Sequence, residues 1–142
     1  MTAVLSELRF EAQVSVRGEA QPGFPVEPNT VTELDGRIVL WLGPDEWLVL
    51  GGSEGDFRCA AAAVDVSANR VCLGLRGAGS AEVLASGCAL DLDAFGPRSC
   101  AQTLLARAQV ILLRPEPECW WILVRPSFAP YVRAWLEDTL GS

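Results

Sequence analysis

Two stretches of the chain alternate between apolar runs and turn residues in nearly the same way. Arg37 to Leu42 and Glu46 to Leu50 are short apolar runs separated by Gly43-Pro44-Asp45. Proline presets the first turn dihedral and aspartate tolerates the next position, so the pattern predicts a β-hairpin. Both runs are apolar on both faces, which requires cover from two sides. Pro117-Glu118-Cys119-Trp120-Trp121-Ile122-Leu123-Val124 reuses the plan of a proline, an acid and a Trp running into aliphatic residues, about half a chain length later. A repeated hairpin-plus-helix unit accounts for both.

The remaining elements follow from local periodicity. Phe10, Ala12, Val14 and Val16 alternate loosely and predict a first strand within residues 10–18. Pro22, Gly23, Pro25 and Pro28 then break regular structure until about Asp35-Gly36, a connecting loop. Ser53 is a suitable helix cap with Asp56 near the first turn, and Phe57, Ala60, Ala61 and Val64 recur at helical spacing, so a helix is expected there. Val71, Leu73 and Leu75 alternate with Cys72, Gly74 and Arg76 as a half-buried strand, ended by Gly77-Ala78-Gly79. Ser80 to Ser86 reads as a short helix with Gly87 as its stop. Residues 91–99 are turn-rich, Thr103 to Arg114 reads as one strand, and the second Trp arm follows at 119–124. In the last segment Ser127 caps a helix, Pro130 falls in its first turn, and Phe128, Tyr131, Val132, Trp135, Leu136 and Leu140 form a broad apolar face. This order predicts an α+β fold of antiparallel sheets with packed helices. We expect a single domain over residues 1–142, with repeat halves at about 37–90 and 100–141.

Composition narrows the chemistry. Half of the 142 residues are hydrophobic and five are Trp, more than a disordered chain carries; the surplus suits a partner interface. The net charge is −7, and the eleven basic residues are all Arg, scattered along the sequence without a basic stripe. Nucleic acid and anionic membrane surfaces are therefore not expected as partners. The chain contains no His, which removes the commonest general base and metal ligand and any Ser-His or Cys-His pair. Cys59, Cys72, Cys88, Cys100 and Cys119 have wide, irregular spacings with no Cys-x-x-Cys, and read as reduced buried thiols. Residues 1–9 lack the pattern of a signal peptide and no apolar run is long enough for a bilayer, so a cytoplasmic protein is expected.

Each candidate for chemistry has a plainer reading. Asp91 and Asp93 are two carboxylates in a loop, too few to specify a cation site. Asp65-Val66-Ser67 joins a carboxylate to a hydroxyl, and a turn held by side-chain-to-backbone hydrogen bonds explains it. Gly74 to Gly79 matches neither a dinucleotide fingerprint nor a phosphate loop. The Trp residues can stack on a flat ligand, but core or interface packing is the commoner use.

Five strings occur in one order: Trp41-Leu42-Gly43-Pro44-Asp45-Glu46-Trp47-Leu48, Asp65-Val66-Ser67-Ala68-Asn69-Arg70, Gly87-Cys88-Ala89-Leu90-Asp91-Leu92, Cys100-Ala101-Gln102-Thr103 and Arg125-Pro126-Ser127-Phe128. Together they resemble the gamma subunit family of heterotetrameric sarcosine oxidases over about residues 37–140. Asp93 stands where members of that family often carry a His. The resemblance implies two intertwined β-α-β-α halves, as in the folate-binding domain of the glycine-cleavage aminomethyltransferase. It further implies a non-catalytic, structural subunit of a complex that oxidatively demethylates sarcosine to glycine. No cofactor is expected in this chain; FAD, FMN, NAD, tetrahydrofolate and zinc are expected in partner alpha, beta and delta subunits. The partner contacts expected here are Trp41, Trp121, Arg125 and Phe128, and no catalytic or metal-binding residue is expected. The alternative is a stand-alone module that binds folate or a one-carbon ligand.

Overall fold

The computed structural model describes residues 3–57 and 60–141. Ten strands and two α-helices lie among them, in the order β1 Val4–Leu8, β2 Gln13–Arg17, β3 Val31–Leu34, β4 Arg37–Gly43, β5 Glu46–Leu50, β6 Ala62–Asp65, β7 Val71–Arg76, α1 Ser80–Ala85, β8 Ser99–Leu105, β9 Ala108–Glu116, β10 Cys119–Val124 and α2 Ala129–Leu140. The strands form two five-stranded antiparallel sheets, ordered β3-β4-β5-β2-β6 and β8-β9-β10-β7-β1. The chain divides into two compact units, residues 10–68 and residues 1–9 with 69–142. The expected α+β class with antiparallel sheets is what the molecule has.

Read from the hairpin edge, the two sheets have one topology. Strands β2 to β5 take the same places in the first sheet as β7 to β10 take in the second. The fifth place is filled by exchange. β1, from the first half of the chain, pairs with β7 with Ser6 opposite Gly74. β6, which stands before β7–β10 in the chain as β1 stands before β2–β5, pairs with β2 with Ser15 opposite Val64. Each half thus completes the sheet of the other, and this exchange is what intertwines them. The Trp hairpins sit at equivalent places, and each has a register irregularity close to its turn, between Trp41 and Gly43 in one and between Cys119 and Trp121 in the other.

The two copies differ in their helices. The second carries α1 between β7 and β8 and α2 after β10, whereas the described residues of the first have only the 3-10 turn Glu54–Phe57 after β5. The helix expected from Ser53 to Val64 is therefore absent. The Asp56 carboxylate accepts the Ser53 N–H at 2.8 Å, the turn ends, and Ala62–Asp65 joins the sheet as β6. The reason is tertiary. Phe57 finds a core, but Val64 is 53% exposed, so a continuous helical stripe has nothing to cover; β pairing with β2 outweighs the helix preference of alanine.

Each unit has its own core. In residues 69–142, Leu73, Leu75, Trp120 and Ile122 meet Val83 and Leu84 of α1 and Val132 and Leu136 of α2, all fully buried. The half-buried reading of β7 is corrected here: Cys72, Leu73, Gly74 and Leu75 are buried in succession, so both faces of this strand are covered. In residues 10–68 the core is Val14, Val16, Val39, Trp47 and Val49, capped by Phe24 and Phe57. Phe24 lies in the proline-rich loop, 5.5 Å from Trp47 ring to ring, and the Trp47 indole N–H donates to the Pro25 carbonyl at 2.8 Å. The loop thus covers a sheet face that a helix covers in the second copy. It is also not wholly irregular, since Val31–Leu34 forms β3 and turns through Asp35-Gly36 into β4.

The single strand expected over 103–114 is two strands. Ala106 and Arg107 have φ of 51° and 73° and join β8 to β9 by a two-residue turn of left-handed backbone. Asp35-Gly36 makes the same kind of turn with the residues that favour it, whereas Ala-Arg carries no such signal. Partners outside the hairpin hold it: Ala106 donates its N–H to Gly87 O at 2.9 Å, and its carbonyl accepts the Tyr131 hydroxyl at 2.6 Å. Ala106→Asn is expected to raise stability by about 1 kcal/mol, since asparagine tolerates this backbone better. Urea denaturation checks this; an unchanged or lower midpoint would count against strain in the turn.

Two smaller expectations also change. Gly87 is not a left-handed helix stop; a Cβ on it would lie 2.5 Å from Trp135 Cζ2, so its role is to admit that ring. Phe128, not Ser127, occupies the N-cap of α2, where the Arg125 carbonyl accepts the N–H groups of Phe128 and Ala129 at 2.9 and 3.0 Å. Pro130 does fall in the first turn.

Candidate functional site

The candidates read from sequence resolve into structure. Asp91 accepts the Asp93 N–H at 3.1 Å, a local turn with both residues exposed. Asp65 accepts both the Ser67 N–H, at 2.9 Å, and its hydroxyl, at 2.6 Å. The Ser67 hydroxyl bond, followed by the backbone one, holds the Asp65 carboxyl below the usual carboxylate range. Ser67 Oγ in turn accepts the Gln13 N–H at 2.9 Å, so this is a structural turn. Gly77 bends the chain with φ of 136°, and its carbonyl accepts the Ser80 hydroxyl at 2.7 Å. Trp47 and Trp120 are in the cores, 1% and 0% exposed, while Trp41, Trp121 and Trp135 are half-buried. Of the expected contact residues, Arg125 and Phe128 are exposed, Phe128 at 49%. No three His, Cys, Asp or Glu side chains among the described residues converge as a metal site would require. Nor is any helix among them long and apolar enough to cross a membrane.

What the linear sequence hid is a groove of about 600 Å³ in the unit of residues 69–142. It is lined by Arg70, Arg107, Arg125, Gln102, Leu104 and Gln109, among others, and no Asp or Glu lines it. The fold assembles it from distant positions. Val71 pairs with Val124, which brings Arg70 and Arg125, each one residue beyond, to the same end of adjacent strands. Arg107 arrives from the β8–β9 turn. Gln102 lies opposite Ile111 and Leu104 opposite Gln109, so these residues share one face of that hairpin. Elsewhere, Arg9, Arg17, Arg37, Arg76 and Arg133 each pair with a carboxylate. No such ion pair forms at Arg107 or Arg125 among the described residues. The reading of the arginines as merely scattered is therefore corrected: three gather in space. A groove of permanently charged guanidiniums in a chain of net charge −7 reverses the local sign and suits planar, bidentate recognition of carboxylates.

Cys72, Cys100 and Cys119 are buried and Cys88 is half-buried; Cys59 lies outside the described residues. Burial pushes the Cys72 thiol from 9.0 up to about 12. Burial also raises Cys119, against the opposing pull of Arg76 and a hydrogen bond with Trp121. The folded state keeps the Cys72 proton where the unfolded chain releases it. This contribution is whole below about pH 9 and declines as pH rises toward 12, by at most about 1.4 kcal/mol per pH unit. Alkylation at pH 8 with peptide mapping is expected to label Cys88 and spare Cys72. A Cys72→Ala variant should show a shallower loss of stability above pH 9; rapid labelling of Cys72 in the native protein would contradict both.

Fold and site together define a strand-exchanged α+β protein with a repeated five-stranded sheet and a cationic groove on its second copy. Comparison with known proteins then places it: a model of the sarcosine oxidase, gamma subunit family matches residues 23–141, and the chain belongs to that family. It is 34% identical to the sarcosine oxidase subunit gamma of Corynebacterium sp. (strain P-1), over 99% of this chain and 81% of that relative. It is also 34% identical to the subunit gamma of an Arthrobacter species, over 96% and 79%. Among solved structures, the heterotetrameric sarcosine oxidase from Corynebacterium sp. U-96, in complex with pyrrole 2-carboxylate, contains a chain that matches with a TM-score of 0.86 and 29% identity, over 98% of this chain and 84% of that one.

Proposed function

We propose that this chain is a non-catalytic assembly subunit of a heterotetrameric sarcosine oxidase-like complex, acting as a single 142-residue domain. The observation that carries this reading is the near-complete structural match to a chain of an enzyme that is itself heterotetrameric. In this reading alpha, beta and delta partners hold FAD, FMN, NAD, tetrahydrofolate and zinc, demethylate sarcosine oxidatively to glycine, and work with this chain in the cytoplasm. The chain contributes surface. Phe128, Arg125 and the half-buried Trp121 serve as contacts in one unit and Trp41 in the other. The cores leave little for a stand-alone folate site, because the two most buried Trp rings are already packed.

Co-expression with the neighbouring large subunits, followed by size-exclusion chromatography and a sarcosine oxidation assay, tests it. One complex containing this chain is expected, with assembly lost when the chain is omitted. A fully assembled, fully active enzyme formed without it, the chain eluting alone, would overturn the proposal.

A further inference from the structure

We propose that the arginine-lined groove seats an extended acidic segment of a partner subunit, with Asp or Glu carboxylates of that segment paired to Arg107 and Arg125. The inference deepens the assembly reading and rests on it. Charge complementarity carries it: three guanidiniums line the groove, no carboxylate does, and neither Arg107 nor Arg125 has an acidic partner among the described residues. Outside the groove, Arg9, Arg17, Arg37, Arg76 and Arg133 are each paired with a carboxylate of the chain itself.

The shape favours a chain segment over a free small anion. A small-molecule site encloses most of its ligand, whereas Gln102, Leu104, Arg107, Gln109 and Arg125 are all exposed along the groove. The arginines are also divided among the ends of two strands and a turn rather than drawn onto one point. Between them Leu104 is 53% exposed, a large apolar side chain on β8, the outermost strand of its sheet. In an extended peptide every second side chain lies on one face, so an apolar residue and carboxylates two positions to either side of it reach the same surface. An acidic segment with that spacing would cover Leu104 and pair the flanking arginines. Desolvating both charges at once, with bidentate geometry, is where such pairs gain strength. Opposite charge at the groove would also orient the encounter, since the remainder of this acidic chain repels an acidic partner.

The test uses the full chain and a fluorescein-labelled, end-capped peptide of sequence Glu-Thr-Glu-Thr-Leu-Thr-Glu-Thr-Glu, which puts its Leu and its carboxylates on one face, with its Glu-to-Gln counterpart as control. Saturable anisotropy is expected for the Glu peptide, at least about tenfold tighter than for the Gln peptide and weakening as salt rises. The double variant R107Q/R125Q should lose about tenfold or more of that affinity. Both side chains are exposed, so its thermal transition should match that of the parent. Equal binding of the two peptides, or equal binding by the double variant, would overturn the proposal. So would displacement by inorganic phosphate at a similar concentration, which would mark a small-anion site, or sedimentation showing that the groove is closed by a second copy of this chain. Co-purification with the partner subunits separates the two claims. Failure of the parent chain to assemble removes the assembly reading; assembly of R107Q/R125Q as tight as the parent removes this inference alone.

Discussion

Replacing Trp120 with alanine is expected to lower stability by about 3–5 kcal/mol, and replacing Trp47 by a similar amount. Both rings are almost fully buried, and they stand at equivalent places on the second strand of each Trp hairpin. Trp120 packs 5.4 Å from the Phe95 ring, with the Arg114 guanidinium 4.8 Å above it. Arg114 is itself fixed, donating to the Pro117 carbonyl at 2.7 and 3.0 Å and to the carbonyl of Phe95. Phenylalanine should separate the two sites. The Trp47 N–H satisfies the buried Pro25 carbonyl, so Trp47→Phe loses a hydrogen bond as well as volume. Trp120 Nε1 is buried without a hydrogen-bond partner among the described residues, so Trp120→Phe loses volume but removes an unsatisfied donor. Trp47→Phe is expected to cost more by about 2 kcal/mol. Guanidinium denaturation of the four variants measures this, with an unchanged slope required for comparison. A Trp120→Phe variant no more stable than Trp47→Phe would refute the account.

These two rings also show what could be read in advance. The motif around Trp41 to Leu50 announced a hairpin because its turn chemistry and its apolar runs agree, and the final helix was legible because Val132 and Leu136 recur at helical spacing behind a first-turn proline. The β8–β9 turn was not legible, because nothing in Ala106-Arg107 favours left-handed backbone; Gly87 and Tyr131 impose it from elsewhere in the chain. The false helix over 53–64 fails for the complementary reason: its periodicity is genuine, but β2 offers it a ladder and no core waits for Val64. β1 escaped notice because an edge strand with Val4 exposed has no clean alternation. The groove was hidden altogether, since Arg70, Arg107 and Arg125 belong together only after strand register is known. Arg125 alone could be named, on resemblance.

Strand exchange has a consequence that can be tested by cutting the chain. Residues 1–60 and 61–142, expressed together as separate polypeptides, are expected to co-purify in about equal amounts and to unfold in one transition. Each is expected to give no cooperative transition alone. The first fragment would lack β6, and the second would lack β1, leaving β7, which carries the apolar Cys72, Leu73 and Leu75, as an open edge. An exposed apolar edge of that kind recruits other chains, so the second fragment alone should aggregate. Leu5 stands opposite Leu75 and is half-buried against the core of that sheet, so Leu5→Asp in the first fragment would place a charge at the junction. That change is expected to reduce recovery of the paired fragments about tenfold or more. Fragments that purified separately as folded monomers would show that each half keeps its own edge strand, and the exchanged topology would be wrong. Pairing that survived Leu5→Asp undiminished would shift the weight of association from β1 to β6; Val64→Asp, at an exposed position, is the control and should leave recovery unchanged.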